Sequence, residues 1–292
     1  MISILIPIYN YNVEDLILKL KEELKTVDFN FEIICCDDFS KKNFNLKLNK
    51  DFSVTFFKNE KNIGRTETRQ KLANRAKYDW LLFLDSDVIP VNDDFIGAYN
   101  LIIQKFQFDV SFGGISYFDQ KPKKDYMLRW RYGRKKEMIP INKRTKTPFT
   151  TITSANLLIK RNVFININKQ LKGNYYGYDN IFSLKLKSKS KLIKHIDNPV
   201  FHLGLEDNNS YLSKKRQAAE TIYMLYKNKQ ISSSTNGLLN AFEFLKKLRL
   251  QYIVASGFKV FKRSLEKKLT GSNPNIFLLD CYRLGYFCSL NL

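Results

Sequence analysis

Trp80-Leu81-Leu82-Phe83-Leu84-Asp85-Ser86-Asp87 decides how this chain is read: five apolar residues in a row, then two carboxylates one residue apart. An unbroken apolar run suits a strand covered on both faces, as in parallel sheets flanked by helices. Ligands of open α/β sheets bind outside the carboxyl ends of the strands, so the two acids stand where a ligand is expected. Hard divalent cations take oxygen ligands, and Mg²⁺ is often held by one or two carboxylates together with substrate phosphates. The stretch reads as a strand end that holds a metal-nucleotide, against the plainer alternative of a loop start or a helix cap.

The neighbouring sequence supplies the rest of such a sheet. Ile2-Ser3-Ile4-Leu5-Ile6-Pro7-Ile8 is a second nearly continuous apolar run, and Phe31-Glu32-Ile33-Ile34-Cys35-Cys36 a third, ending in Asp37-Asp38. Val54-Thr55-Phe56-Phe57 reads as another strand. Between them, Leu16, Leu20 and Leu24 mark the buried stripe of a helix opened by Asn12, and residues 65–77 follow the turn Asn62-Ile63-Gly64. This alternation of strand and helix predicts a mostly parallel sheet with helices on both faces. Three strand ends, at Pro7-Ile8-Tyr9-Asn10, Asp37-Asp38 and Asp85-Ser86-Asp87, then converge on one edge, with Arg69 on the helix before the last of them. A further helix is expected over 94–105, and strands over 110–115, 153–159 and 192–196. After about Tyr211 the pattern is helical throughout.

Composition narrows the class. A chain of 292 residues with 44% hydrophobic content can bury a sizeable core. The 49 basic against 28 acidic residues give a net charge of +21, which implies an anionic partner. Residues 121–146 hold eleven of those cations against two acids, interleaved with Tyr126, Trp130 and Tyr132. Such a segment can face an anionic partner, with its aromatics offering stacking faces, or can be a solvated loop. The four cysteines lack metal-ligand spacing and read as small core residues of a reducing compartment. No stretch approaches the roughly 20 apolar residues of a membrane span, and Met1–Ile8 lacks the basic start of a signal peptide. The expected location is cytoplasmic, with peripheral contact at the inner membrane face.

These residues, taken in order over about 2–205, resemble family 2 glycosyltransferases of the GT-A fold. Ile4-Leu5-Ile6-Pro7-Ile8-Tyr9-Asn10 is similar to the family's opening strand, and Glu32-Ile33-Ile34-Cys35-Cys36-Asp37-Asp38-Phe39-Ser40 to its nucleotide-base strand, with Phe39 in place of the usual Gly. Asn62-Ile63-Gly64 with Arg69 resembles an Asn-x-Gly…Ala-Arg-Asn stretch, Thr68 and Gln70 replacing Ala and Asn. Leu82-Phe83-Leu84-Asp85-Ser86-Asp87 is close to the family's metal motif. Tyr176-Gly177-Tyr178-Asp179-Asn180 sits where the family has Gly-x-Glu-Asp, whose second acid is the catalytic base, and Val200-Phe201-His202-Leu203-Gly204 resembles a segment that supplies a further metal ligand.

The resemblance implies a GT-A (Rossmann-like) catalytic domain over 1–210, with a basic helical extension over 211–292. It implies an inverting transfer of a sugar from a nucleotide-diphosphate donor, most often a UDP-sugar, to a glycan or lipid-diphosphate-linked acceptor, as in bacterial surface-polysaccharide synthesis. Pro7, Tyr9, Asn10, Asp37, Asp38, Asn62, Gly64, Arg69, Asp85 and Ser86 are the implied donor-binding residues. Asp85, Asp87 and His202 are the implied ligands of Mn²⁺ or Mg²⁺. Asp179 is the implied base, with Asn180 as the alternative occupant of that position. An anionic membrane surface is a further expected partner, and nucleic acid is not. The rival readings are a basic nucleic-acid- or membrane-binding module without activity, a nucleotidyltransferase, and a transferase that has lost turnover. The first rival lacks any zinc-finger, RNP-like or helix-turn-helix signature, and the second lacks a Gly-rich phosphate loop after the first strand.

Overall fold

The computed structural model describes residues 1–290 except 43, 46, 49, 50, 52, 172–176 and 232–235, and describes only the backbone at 178–180. The chain falls into two compact units. One is formed by Met1–Tyr117, the stretch beginning at Glu137, and Ile181–Gly204; the other by Phe118–Lys136, the stretch ending at Asn180, and the chain from Leu205 onward.

The strands are β1 (Ile2–Ile8), β2 (Phe31–Asp37), β3 (Val54–Lys58), β4 (Trp80–Leu84), β5 (Val88–Pro90), β6 (Val110–Phe112), β7 (Ile115–Ser116), β8 (Asn156–Lys160), β9 (Ile193–His195) and β10 (Val200–His202). Seven of them form one sheet in the order β3-β2-β1-β4-β8-β6-β9. β8 runs antiparallel to β4 and β6, and every other pairing in this sheet is parallel. The apolar runs explain the centre: β1 and β4 are almost wholly buried, Leu81 to Leu84 completely. The helices of this unit are α1 (Glu14–Leu24), α2 (Arg65–Arg75) and α3 (Phe95–Lys105), then, after α4 (Met127–Tyr132) of the other unit, α5 (Ile141–Arg144), α6 (Arg161–Asn168) and, from Ile181 onward, α7 (Tyr178–Ser188). α1 packs with α3 and α2 with α6, and Leu16, Leu20 and Leu24 are buried on α1 as their spacing predicts.

The strand expected over 110–115 is broken at Gly113-Gly114. Gly114 has φ +106°, and a Cβ on Gly113 would stand 2.3 Å from the Asn198 carbonyl and 2.4 Å from the Tyr99 hydroxyl. The chain turns there from the large sheet into a small one, β5-β10-β7. Arg144 pins this joint. Its buried guanidinium donates to the carbonyls of Phe112 and Ile196, both at 2.9 Å, while its Nε donates to Ile139 O at 2.9 Å. His195 lies beside it and contacts the Pro148 carbonyl, so the histidine without a motif has a structural place. Burial and the neighbouring Arg144 push its pKa down, against the contact with Pro148.

The second unit contains α4, α8 (Asn208–Lys227), α9 (Gly237–Lys247), α10 (Gln251–Leu269) and α11 (Ile276–Ser289). Leu128, Tyr211, Leu212, Phe258, Leu279 and Tyr282 share one apolar cluster, and Ala219, Leu239, Phe242, Ala255 and Phe287 another. Buried Asn208 ties the pieces together: its Oδ1 accepts from Leu128 N at 2.8 Å, and its Nδ2 donates to the carbonyls of Lys124 and Thr270. The basic stretch 121–146 is therefore not one loop, since its first part is helix docked by Leu128. Trp130 is only 8% exposed, donates its indole N–H to Phe118 O and lies under Arg134, so it is not a free stacking platform. Of the four cysteines, Cys281 is exposed and departs from the core placement expected of all of them.

Asp207 caps α8, its Oδ1 accepting from Asn209 N at 3.1 Å and Ser210 N at 3.0 Å. The bonds from Ser210 hold its carboxyl below the ordinary value. A depressed carboxyl stabilises the fold above its unfolded pKa of about 3.9 and loses that contribution as pH falls through the folded value. Asp207→Ala is expected to cost about 1 kcal/mol at neutral pH. Thermal melts across pH should show the gap to wild type closing in acid, whereas Asp207→Asn should keep most of the cap at every pH.

Candidate functional site

The carboxyl ends of β3, β2, β1 and β4 lie side by side, because these four strands are parallel neighbours. At the end of β1, Pro7 pairs with Cys36 and Tyr9 is exposed. Asn10 follows with φ 53°, its N–H donating to Ser40 Oγ at 2.7 Å and its Oδ1 accepting from Lys41 N at 2.9 Å. Asp37 and Asp38 are both buried at the end of β2. Asp37 Oδ1 accepts from Ser40 N at 2.7 Å. Asp38 Oδ1 accepts from Ile63 N and Asn59 Nδ2, both at 2.9 Å, and its Oδ2 from Gly64 N at 2.8 Å. Asn62 Nδ2 donates to the Asp38 carbonyl at 3.1 Å. Asp38 thus organises the loop that leads into α2. Phe39, standing where a glycine is usual, takes the left-handed conformation with φ 65°.

Asp85 and Asp87 lie on either side of Ser86 in the turn from β4 to β5. Arg69 Nη2 donates to Asp85 Oδ1 at 2.5 Å. Burial raises the Asp85 pKa, but Arg69 and Arg65 outweigh it and hold the carboxyl below its usual range. Arg69 is buried, and its Nε has no hydrogen-bond partner among the described residues. Asp87 Oδ2 stands 3.6 Å from His202 Nε2. The main chain closes this pair, since Leu203 N donates to Asp87 O at 2.8 Å. Gly204 leaves the room this carboxylate occupies: a Cβ would fall 1.9 Å from Asp87 Oδ2. Tyr117 stacks on the imidazole of His202 with centroids 5.6 Å apart and an 18° interplanar angle, and its hydroxyl donates to the Glu137 carboxylate. Tyr11 lies near the same pair, its hydroxyl pKa raised by burial and by the charges of Asp87 and Asp15.

The donor atoms fit a divalent ion in part. Adjacent ligands of an octahedral ion with bonds of about 2.1 Å stand about 3 Å apart, so a small closure brings Asp87 and His202 onto one ion. Carboxylate oxygen suits Mg²⁺ and Mn²⁺, and imidazole favours the transition metals. Asp85, the third expected ligand, is instead engaged by Arg69. Among the described residues no group of three or more His, Cys, Asp or Glu side chains is placed to hold a metal. An ion at Asp87 and His202 would complete its shell with oxygens of the ligand and water.

The structure thus brings together Pro7, Tyr9, Asn10, Asp37, Asp38, Asn62, Gly64, Arg69, Asp85, Ser86 and Asp87 at strand ends and in the loop they hold, with His202 reaching Asp87 from β10. Asp179 falls in the first turn of α7, and its side chain lies outside the described residues, as does that of Asn180. Sequence reading missed Tyr117, Tyr11 and Asn59. None belongs to a motif, and each acts through a partner distant in the chain.

A family model described as glycosyl transferase family 2 matches residues 3–167. An uncharacterized glycosyltransferase of Haemophilus influenzae is 42% identical over 88 residues, which is 30% of this chain and 29% of that protein. The match therefore takes in well under two thirds of the curated relative's length. S. aureus TarS 1-349 in complex with UDP-GlcNAc superposes with TM-score 0.50 at 15% identity, over 97% of this chain and 90% of that one. GalNAc-T7 with UDP, GalNAc and Mn²⁺ does so with TM-score 0.51 at 18% identity, over 70% of this chain and 44% of that one. At such identities the likeness is one of fold.

Two outcomes follow from the strained and crowded positions. Phe39→Gly relieves a left-handed side-chain clash of about 1–2 kcal/mol, less the entropy a glycine adds to the unfolded chain, and should raise the melting temperature. With Mn²⁺ held by the Asp87–His202 pair as proposed below, Gly204→Ala should push the Asp87 carboxylate aside and weaken that binding about ten- to a hundredfold by calorimetry. Gly237→Ala, where a Cβ meets open space, should leave that binding unchanged.

Proposed function

The chain belongs to glycosyl transferase family 2, and we propose that it moves a sugar from a nucleotide-diphosphate donor to a hydroxyl of a glycan or lipid-diphosphate-linked acceptor. The observation that supports this most is the set of neighbouring strand ends, which puts Asp37 and Asp38, the Arg69–Asp85 pair and the Asp87–His202 pair along one edge of a parallel sheet. UDP is the proposed nucleotide. The UDP-GlcNAc of the TarS complex and the UDP of the GalNAc-T7 complex support that choice, and the Mn²⁺ of the latter supports a divalent ion.

In this reading Tyr9, Asn10 and the carboxylates ending β2 receive the nucleobase, a carboxylate accepting its N–H. Arg69 keeps Asp85 ionised and fixes the turn before Asp87. Asp87 and His202 would hold the ion, which when bound supplies Lewis-acid stabilisation of the departing diphosphate. Asp179, by the family resemblance, takes the proton of the acceptor hydroxyl. The acceptor oxygen bonds to the anomeric carbon as the bond to the diphosphate breaks, and the diphosphate leaves with the electron pair. One base and one direct displacement give inversion. A surface polysaccharide is the proposed destination, with the protein acting at the inner membrane face. No helix among the described residues is long and apolar enough to cross a membrane.

Melting curves with UDP, GDP, dTDP and CDP, each with and without Mn²⁺, test the donor class. A metal-dependent rise with UDP is expected, because a ligand that binds only the folded state must stabilise it. No rise with any nucleotide in folded protein would overturn the reading. Asp179→Asn should retain donor binding while transfer falls about 10²–10⁴-fold; unchanged turnover would remove Asp179 as the base.

A further inference from the structure

The helical unit carries a face that its own packing leaves bare. α9 ends at an elbow, Leu248-Arg249-Leu250, where Arg249 takes φ 57° before α10 begins. Phe244, Leu248 and Ile253 stand exposed around that elbow. Along α10, Val260 and Phe261 follow Ile253 by seven and eight residues, the repeat of one helical face. Ile253 is 68% exposed, Val260 75% and Phe261 62%. The same helix buries Ala255, Phe258 and Leu269 in the two apolar clusters of the unit. α10 therefore has two apolar stripes, one packed and one open to solvent.

Charge is segregated around the open stripe. Residues 237–270 contain eight basic side chains and two acidic ones. Both acids are occupied within the unit: Glu243 accepts from the Tyr226 hydroxyl, and Glu266 accepts from Arg216 Nη1 at 2.9 Å and the Tyr282 hydroxyl at 2.7 Å. Lys247, Arg249, Lys259 and Arg263 are exposed. Two copies of such a face brought together would set like charges against one another. A nucleic acid would meet the cations but leave Ile253, Val260 and Phe261 without a use. An anionic bilayer satisfies both halves, the apolar side chains entering the acyl boundary and the cations meeting the headgroups.

We propose that the α9–α10 face docks this protein onto an anionic phospholipid surface. The stripe and its cations lie within one unit, and the proposal does not depend on the transferase reading. Each exposed Lys or Arg near such a surface is worth about fivefold in affinity. The contribution falls as added salt shortens the screening length from about 10 Å toward 3 Å.

The test is co-sedimentation of the full chain with vesicles of phosphatidylcholine alone or mixed with phosphatidylglycerol, at low and high salt. Binding to the mixed vesicles only, weakened by salt, is expected. Val260→Ser with Phe261→Ser should reduce it about tenfold or more, and Lys259→Ser with Arg263→Ser likewise, both leaving the UDP-induced melting shift as it was. Absence of vesicle binding by the folded protein would overturn the proposal, as would binding that neither double variant changes. A concentration-dependent dimer in sedimentation that Phe261→Ser dissolves, without vesicle binding, would assign the face to a second copy instead. The UDP shift and the vesicle assay fail independently, so each outcome identifies which reading is at fault.

Discussion

Four carboxylates crowd the ends of two strands that flank β1, and the site depends on how their mutual repulsion and burial are met. A buried charge without a partner is costly, and each of these has one. Ser40 N–H meets Asp37; the amides of Ile63 and Gly64, with the Asn59 side chain, meet Asp38; Arg69 meets Asp85; His202 faces Asp87. The partners differ in kind, and that difference divides the labour. Backbone donors cannot leave, so Asp38 holds the loop into α2 in shape. A guanidinium on a buried helix face keeps Asp85 charged but in place. An imidazole at 3.6 Å leaves Asp87 a partner that can share a third body.

The architecture makes these pairings by joining two sheets at one turn. β4 belongs to the large sheet and β5 to the small one, and the Asp85-Ser86-Asp87 turn is the passage between them. Asp85 is tied back to α2, which packs on the large sheet, while Asp87 is tied forward to β10 of the small sheet. Gly113-Gly114 makes the corresponding passage from β6 to β7, under the Arg144 guanidinium.

What could be read in the sequence was what local pattern dictates. The apolar runs of β1, β2 and β4 are long and mostly buried, so their limits and the charged ends of β2 and β4 are plain from the residues alone. The break at Gly113-Gly114 was not, because the need for glycine comes from Asn198 and Tyr99, which approach from elsewhere in the chain. Arg69 was visible on its helix, but its turn toward Asp85 depends on packing that periodicity does not encode. Trp130 and Tyr132 looked like open aromatics among cations. Leu128, one turn away, draws their helix into an apolar cluster and Trp130 under Arg134. Phe39 departs from the glycine usual there, yet its backbone keeps the left-handed turn that a glycine would favour.

The small sheet governs when the Asp87–His202 pair can form. β5, β7 and β10 are short strands gathered from three distant parts of the chain, and Asp87 meets His202 only when the last of them has arrived. Pairings between remote segments must overcome the most chain entropy before contacts reward them, and they slow folding accordingly. The parallel core of β1, β2, β3 and β4 is far more local and can assemble first. During synthesis a chain that has emerged only through the large sheet's first half would already present the carboxylates that end β2 and β4 while lacking His202. The Asp87–His202 pair is then completed late in folding, by the docking of one three-residue strand.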